Sequence, residues 1–235
     1  MDWLLKWFDT LYNTFIVAER YKTLIEGFGK TIIITIGALL IGIVIGTIVA
    51  IIKVFADRNK KLKIFDMICN LYLTVIRGTP VVVQLLISFF IIFVNSKDGT
   101  WVAIITFGVN SGAYVAEVIR SGIMAIDSGQ TEAGRSLGFS KVQTMWLIIL
   151  PQAFKNILPA IGNEMIALLK ETSVAGYIGV EDLTRGVFLI RNNTYDAFNP
   201  LMLSAIIYLV LVIGMTKLIS MLERRLAKSE RRIKK

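Results

Sequence analysis

The feature of the sequence that most constrains the fold is one apolar run near the N-terminus. The run covers residues 31–52, carries no charge over 22 positions, and has Lys30 and Lys53 at its two ends. A helix needs about 20 apolar residues to cross the hydrocarbon core of a bilayer. Backbone groups inside lipid must be paired within the segment, so the run predicts a membrane-spanning helix and not a strand.

Four further apolar stretches follow the first, at residues 67–96, 99–126, 142–169 and 197–216. Hydrophobic residues make up 55% of the 235-residue chain and charged residues 18%, whereas soluble domains have about 25% charged residues. This composition excludes a soluble enzyme and a disordered chain, and it predicts five membrane spans. In the first span, Gly42, Gly46 and Ala50 form a small-residue stripe that predicts close contact with another helix.

Basic residues in the connecting segments predict the orientation of the spans. The segment between the first two spans contains the cations Lys53, Arg58, Lys60, Lys61 and Lys63, and Asp57 is the acid that stands among them. Seven more cations follow the fifth span, between Arg224 and Lys235. Lys and Arg are enriched in cytoplasmic segments, so both segments are expected on the cytoplasmic side. Five spans with a cytoplasmic C-terminus place the N-terminus outside.

The first 25 residues differ from the spans, because apolar and polar residues alternate there at helical spacing. The apolar positions include Trp3, Leu4, Trp7, Phe8, Leu11 and Phe15. This pattern predicts an amphipathic helix that lies on the outer membrane surface. We therefore divide the chain into an interfacial segment (1–25), a transmembrane domain (26–225) and a basic cytoplasmic tail (226–235).

The residue inventory excludes several kinds of site. The chain has no His and a single cysteine, Cys69, so we expect no metal site, no disulfide and no cofactor on this chain. Gly29, Lys30 and Thr31 resemble the end of a phosphate-binding loop, but the pattern needs a glycine where Leu24 stands. The net charge of +9 follows from the cytoplasmic segments, so nucleic-acid binding is not expected.

The segment between the third and fourth spans, residues 127–143, carries two sets of helix-capping signals. Asp127 can begin a first helix that Gly138 ends, and Ser140 with Gln143 forms a capping box for a second helix. Physical reasoning leaves two interpretations open. The segment is either an ordinary cytoplasmic hairpin or a short helix that docks into the groove of a partner.

The same segment resembles the signature loop of the permease subunits of ATP-binding-cassette importers. The matching residues, at the family's spacing, are Glu132, Ala133, Gly134, Gly138, Ile148, Leu150 and Pro151. Gly134 departs from the pattern, which has a second alanine there, and we expect this change to matter little for docking. Further residues resemble the polar amino acid branch of that family, namely 77–80 with Gln84, 111–117 with Arg120, 162–164 and 170–173.

The resemblance implies a fold, partners and a location. The fold class is all-α integral membrane, with five transmembrane helices, the N-terminal interfacial helix and a cytoplasmic coupling helix. The permease would pair with a second permease copy and dock cytoplasmic ATPase subunits through Glu132, Ala133, Gly134 and Gly138. An extracytoplasmic solute-binding protein would deliver the amino acid. ATP and magnesium would bind the ATPase, so this chain is no enzyme, and the location would be the bacterial cytoplasmic membrane.

Polar residues inside the predicted spans each need a reason, because an ionisable group at mid-bilayer costs roughly 2.5–3.5 kcal/mol on insertion scales. Helical spacing places Asn70, Thr74, Arg77, Gln84 and Ser88 on one face of the second span. Glu164 is the most informative of these groups. It is either the counter-charge for a cationic substrate or half of a structural ion pair with Arg77 or Lys170. The substrate residues that we predict are Asn163, Glu164, Arg77, Thr74 and Tyr114.

Other polar and proline residues are assigned to structure or gating. Glu117 and Arg120, three positions apart, are expected to pair, and Lys170 is expected at the outer end of the fourth span. Pro80, Pro151 and Pro159 are expected to kink or interrupt their helices.

The predicted function is inward transport of a basic amino acid (arginine, lysine or histidine) by alternating access. Two alternatives are a permease of this family for glutamine or another polar amino acid, and a secondary transporter that needs no ATPase.

Overall fold

The computed structural model describes residues 2–56 and 62–233, with side chains from Leu5 to Leu226 inside those ranges. No strand occurs in these two ranges. Short π-helical or 3-10 segments and turns connect the α-helices, which are α1 (Asp2–Leu11), α2 (Tyr21–Ala56), α3 (Lys63–Gly78), α4 (Val81–Ile87), α5 (Gly99–Met124), α6 (Ser128–Ser136), α7 (Lys141–Thr144), α8 (Leu150–Glu171), α9 (Leu183–Thr194) and α10 (Phe198–Ile233). Five of the cations used for orientation fall outside the described residues, namely Arg58, Lys60, Lys61, Lys234 and Lys235.

Four helical stretches are long and apolar enough to cross a membrane, and one bent pair makes a fifth. The four are Tyr21–Ala56, Gly99–Met124, Lys141–Ile178 and Phe198–Leu226. The fifth consists of Lys63–Gly78 and Val81–Ile92, whose axes meet at 105°. The all-α fold is therefore confirmed, with four candidate spans, or five if the bent pair is counted as one span.

The break in the second span occurs at Thr79 and Pro80. Pro80 lacks a backbone N–H and cannot continue a helix, so α3 ends before it and α4 begins after it. Gln84 closes the bend, because its Nε2 donates to the Ile76 carbonyl (2.8 Å) and the Thr79 carbonyl (3.1 Å). The predicted interruption at Pro80 is confirmed. The prediction of one continuous polar face from Asn70 to Ser88 is wrong, because the bend turns α4 away from the face of α3.

The other two prolines are accommodated without a break. A π-helical turn at Met145–Ile149 leads directly into α8, where Pro151 occupies the first turn. A proline in the first turn gives up no intrahelical hydrogen bond. Pro159 is buried inside α8, and the helix continues through it, so Pro159 does not interrupt the helix, and a kink there stays a prediction.

The centre of the bundle is the contact between α2 and α5, where glycines replace side chains. A Cβ atom built on Gly46 would lie 2.7 Å from the Val115 Cβ, and one on Gly108 would lie 2.7 Å from the Ile41 Cβ. Real Cβ atoms do not approach so closely, and such close approach needs small residues at a helix interface. The predicted role of the small-residue stripe in the first span is confirmed.

The N-terminal segment forms a helix that packs against the C-terminal third of the chain. Trp7 Nε1 donates a 2.7 Å hydrogen bond to Oδ1 of Asn199, and Phe15 is buried beside Leu183 and Val187. Phe8 is 59% exposed, so part of the apolar face stays open. The predicted helix is present, and its location on the outer membrane surface stays a prediction.

Helix α9 is fixed to α2 and α10 through a buried N-cap. The Asp182 side chain is fully buried and accepts hydrogen bonds from the backbone N–H groups of Thr184 and Arg185. Thr31 Oγ1 of α2 accepts the N–H of Leu183, and Thr184 pairs with the Tyr208 hydroxyl of α10. Burial raises the pKa of Asp182 above its usual value, against the opposing effect of the amides that it caps.

Candidate functional site

A polar cleft lies between α2, α3 and α5. Its volume is about 690 Å³, and its lining residues are Lys53, Asn70, Leu73, Thr74, Arg77, Gly78, Tyr114, Glu117 and Arg120. Three of the five predicted substrate residues, Thr74, Arg77 and Tyr114, therefore line one cavity. The predicted gating pair, Glu117 and Arg120, lines the same cavity.

Most charges in the cleft are neutralised inside the chain. Lys53 Nζ donates to Asp66 Oδ1 (3.1 Å) and to Asn70 Oδ1 (2.6 Å). Arg120 Nη2 donates to Glu117 Oε2 at 3.0 Å, so the predicted contact within this pair is present. Both pairs keep their charges compensated in a partly buried region, where a lone charge would be costly.

Arg77 is the exception in the cleft. Its guanidinium carbon lies 5.6 Å from the ring centroid of Tyr114, which is a cation–π contact. No carboxylate of the described residues lies within ion-pair distance of Arg77. The cleft therefore presents one guanidinium without an ion-pair partner among the described residues, next to the hydroxyl groups of Thr74 and Tyr114. Such a group can accept an anion, and a carboxylate fits the guanidinium fork well.

Glu164 and Asn163 lie on α8, outside the lining of this cleft. Ser111 Oγ donates a 2.9 Å hydrogen bond to Oε1 of Glu164, whose side chain is half-buried, whereas Asn163 is exposed. Neither Arg77 nor Lys170 forms an ion pair with Glu164 among the described residues. The structural ion-pair alternative for Glu164 is therefore absent from the described part of the chain.

The two parts of the predicted site are connected through α5. Ser111, which binds Glu164, stands three residues before Tyr114, which contacts Arg77. Three residues correspond to about 4.5 Å along a helix axis. The Glu164 carboxylate of α8 and the Arg77 guanidinium of α3 therefore contact α5 at positions that are less than one turn apart.

One face of α5, at the cleft, is only partly covered by the described residues. Contacts with α2, α3 and α8 cover the other directions, as shown by the closely approached Gly112 and Gly122. Tyr114 is 37% exposed, and Ser121 is exposed. The chain therefore offers a half-open polar surface, of the kind that a second subunit can complete.

Two residues of the site were missed by sequence reasoning. Lys53 was used only for membrane orientation, and Ser111 was only part of a family motif. The spacing of four between Asp66 and Asn70, together with the nearby Lys53, was a usable local signal for the first network. No local signal connects Ser111 with Glu164, because 53 positions separate them.

Residues 127–143 form two short helices that meet at Gly138, as predicted. Asp127 caps α6, and Ser140 and Gln143 form the complete capping box of α7. Gly138 has φ +88°, a left-handed value that favours glycine, and the Phe139 N–H returns to the Gly134 carbonyl at 3.1 Å. This turn fixes the angle between α6 and α7.

The departure from the family pattern at Gly134 has a local explanation. Gly134 is buried, and a Cβ there would lie 2.8 Å from side-chain carbons of both Thr144 and Ile148. Glycine therefore lets α6 approach the π-helical turn closely. Glu132 and Ala133 remain exposed on α6 and are available to a partner.

Lys170 was assigned to structure or gating at the outer end of the fourth span. Lys170 is exposed near the end of α8. No group of three or more His, Cys, Asp or Glu residues among those described is arranged to hold a metal ion.

Known proteins resemble this chain along most of its length. Residues 42–228 match the family described as the inner membrane component of binding-protein-dependent transport systems. The arginine transport system permease protein ArtQ of Bacillus subtilis is 38% identical over 210 residues, which cover 88% of this chain and 94% of that protein. The glutamine transport system permease protein GlnP of Escherichia coli is 35% identical over 208 residues, covering 86% and 92%.

Solved structures show the same fold. A crystal structure of an amino acid ABC transporter with histidines has a chain that is 40% identical, with a TM-score of 0.81 over 89% of this chain and 96% of that chain. The MetNI methionine ABC transporter in an inward-facing conformation aligns with a TM-score of 0.74 at 21% identity, over 87% and 96% of the two chains, and supports the fold alone. The chain belongs to the inner-membrane permease components of binding-protein-dependent transport systems, in the amino acid branch of the ABC importers.

Proposed function

We propose that this permease carries an amino acid with a cationic side chain, arginine first among them, into the cell. One observation carries the proposal: Glu164 is a half-buried carboxylate without an ion-pair partner among the described residues. A buried charge without a partner is costly, and a cationic substrate would remove that cost while bound. A neutral substrate such as glutamine leaves the cost in place.

The residues of the site take separate roles in this proposal. Glu164 pairs with the cationic side chain, and Asn163 supplies a hydrogen-bonding group beside it. Arg77 takes the substrate carboxylate, with Thr74 and Tyr114 at its side. Because the cleft lies about one turn closer to the cytoplasmic end of α5 than Ser111 does, a substrate leaving Glu164 for the cytoplasm passes Arg77.

The proposed cycle needs partners that bring energy and substrate. A second copy of the permease closes the open face of α5 and forms the pathway between the two copies. ATP and magnesium bind the partner ATPase subunits, which dock on the exposed Glu132 and Ala133 of α6 and on the turn at Gly138, whereas the buried Gly134 packs α6 against Thr144 and Ile148. An extracytoplasmic solute-binding protein delivers the substrate. In this arrangement the N-terminus is outside and the C-terminus is cytoplasmic.

Glutamine is the second candidate substrate. Several relatives are named as glutamine permeases, including one of Rickettsia prowazekii that is 39% identical over 206 residues, covering 86% of this chain and 92% of that protein. Identity to named relatives is nearly equal for arginine and glutamine, so the charge at Glu164 decides our choice.

The test is a binding comparison on the permease–ATPase complex in lipid nanodiscs. Binding of arginine, lysine, histidine and glutamine is measured for wild type, Glu164→Gln and the control Glu171→Gln, which changes another half-buried carboxylate of α8. We expect a preference for arginine over glutamine that only Glu164→Gln abolishes. Equal binding of glutamine by wild type would reject the basic substrate, and uptake without the ATPase would favour a secondary transporter.

A further inference from the structure

Glu164 is held by a neighbour that has no other evident task. Ser111 is fully buried on α5, and its hydroxyl donates to Oε1 of Glu164 at 2.9 Å. The other carboxylate oxygen, Oε2, has no partner among the described residues. It is also absent from the set of side-chain atoms that are both fully enclosed and without a hydrogen bond among the described residues. Oε2 is therefore both unpaired and accessible.

The Ser111 hydroxyl is itself fixed by the close approach of α2. A Cβ atom built on Gly42 would lie 2.9 Å from Ser111 Oγ and 3.0 Å from Ser111 Cβ. The backbone of α2 thus occupies the space next to the hydroxyl and restricts its position. Three helices meet here: α2 at Gly42, α5 at Ser111 and α8 at Glu164.

From this geometry we infer that Ser111, backed by Gly42, is a positioning residue that sets the amino acid selectivity of the permease. The hydroxyl binds Oε1 and fixes the rotamer of Glu164, which leaves Oε2 for the cationic group of the substrate. A flexible carboxylate would have to be ordered on each binding event, and preorganisation removes that cost. This inference rests on the proposed role of Glu164 and adds the two residues, Ser111 and Gly42, that orient its side chain.

The first test is Ser111→Ala in the intact permease–ATPase complex, with Thr106→Val as the matched control. Thr106 is a buried hydroxyl residue on the same helix, and its Oγ1 has no hydrogen-bond partner. Losing a hydrogen bond to a charged group should weaken arginine binding about tenfold. Glutamine binding should stay within about twofold, because it makes no use of the charge. Thr106→Val should leave both unchanged.

A second pair of variants keeps the inference testable even if Ser111→Ala fails to assemble. Gly42→Ala pushes against the Ser111 hydroxyl, whereas Gly46→Ala makes an equally tight contact one turn away, with Val115 at 2.7 Å. Only Gly42→Ala should reduce the ratio of arginine to glutamine binding. Equal effects of the two variants would overturn the positioning role in favour of general packing.

The outcomes separate this inference from the proposed function. If Glu164→Gln abolishes the arginine preference while Ser111→Ala keeps it, the positioning role is wrong and the substrate site stands. If Glu164→Gln keeps the preference, the substrate site is wrong and the inference falls with it. Loss of preference in both variants, with normal ATPase binding, supports both.

A second, independent observation concerns the cytoplasmic end of α10, where cations repeat at helical spacing. At 100° per residue they occupy an arc of about 120°, and its members on this helix are Lys217, Arg224, Arg225, Lys228, Arg231 and Arg232. The acids Glu223 and Glu230 fall outside the arc. The general preference for Lys and Arg on the cytoplasmic side explains how many cations this segment has, but it does not require them to lie on one face of the helix.

The arc, which we call the basic stripe, is described with side chains at Lys217, Arg224 and Arg225, and all three are exposed. Ile219 is the buried residue of this half of α10, and a Cβ on Gly162 of α8 would lie 2.8 Å from it. Ile219 stands about 180° from the middle of the stripe. Lys217, within the stripe, is exposed inside the apolar stretch Phe198–Leu226.

We infer that the basic stripe binds the phosphate groups of anionic lipids. Lys217 lies about 10 Å before Arg224 along the helix, so a ligand that reaches both must lie beside the helix at the membrane surface. Cation clusters directly cytoplasmic of a membrane helix attract anionic headgroups. Lys217 stands inside the apolar stretch Phe198–Leu226, where lipid would be its neighbour, and this position favours lipid over a partner protein.

The test counts phosphatidylglycerol molecules retained by the importer complex from mixed phosphatidylethanolamine–phosphatidylglycerol nanodiscs, by native mass spectrometry. Arg224→Gln/Arg225→Gln removes two stripe charges, and Lys63→Gln/Lys141→Gln removes two exposed charges elsewhere. Only the stripe variant should lose retained phosphatidylglycerol. Equal loss in both variants would overturn the inference, as would loss of the ATPase with lipid retained.

Discussion

Replacing Gln84 with leucine tests how the broken second span is held together. Gln84 donates to the carbonyls of Ile76 and Thr79, and its Oε1 accepts the Asn110 amide of α5 at 3.0 Å. The bonds to Ile76 and Asn110 are partly buried and are worth about 1 kcal/mol each, and the exposed bonds to Thr79 add little. Asn110 is buried and would be left unpaired. We expect Gln84→Leu to lower the unfolding free energy by about 2–3 kcal/mol.

The assay is equilibrium unfolding of the purified permease by a denaturing detergent, followed by tryptophan fluorescence. Gln130→Leu is the control, because Gln130 is exposed and takes part in one long hydrogen bond of 3.3 Å. It should change the unfolding free energy by less than about 0.5 kcal/mol. A double-mutant cycle of Gln84→Leu with Asn110→Ala should give a coupling of about 1 kcal/mol. Additive effects of the two changes would refute the bridging role of Gln84.

Three further predictions follow from single positions. Gly138→Val should reduce ATPase retention on the purified permease, because valine is strained at φ +88° and the α6 angle would change; unaltered retention would contradict the turn's role. Gly27→Ala should destabilise the protein by about 1–3 kcal/mol, since its Cβ would lie 2.7 Å from the Asp182 carbonyl oxygen, whereas Gly29→Ala, which meets nothing within 4 Å, should be neutral or slightly stabilising. Asp182→Ala should cost about 1 kcal/mol through the lost cap. The pKa of Asp182 is raised in the folded state, so the unfolding free energy of the protein should fall as pH rises above about 4. Asp182→Asn should abolish this pH dependence, because asparagine does not titrate but can still cap the helix.

The spans and the caps could be predicted from sequence because their signals are local. The uncharged run at 31–52 fixes a helix through its own length, and Ser140 and Gln143 form their capping box within four residues. The break at Pro80 was predicted too, since proline lacks the donor that a helix needs. Its direction was not, because the bend depends on Gln84 reaching Asn110 on another helix.

The site was predicted in its residue types and only partly in its grouping. Thr74, Arg77 and Tyr114 do line one cleft, because helical spacing places them at facing positions of α3 and α5. The pairing of Ser111 with Glu164 joins helices 53 positions apart in the chain. Such a contact depends on tertiary packing, which a single sequence does not encode at short range. The same holds for Trp7 and Asn199, 192 positions apart.

The glycine contact between α2 and α5 has a consequence for how the chain is assembled in the membrane. The two helices are separated in the chain by α3 and α4, so α2 enters the bilayer well before its partner is synthesised. Until Gly99–Met124 follows, the groove at Gly42 and Gly46 faces lipid with nothing to fill it. Biogenesis of this permease therefore passes through an intermediate with an open groove, and completion of α5 is the step that commits the bundle to its fold.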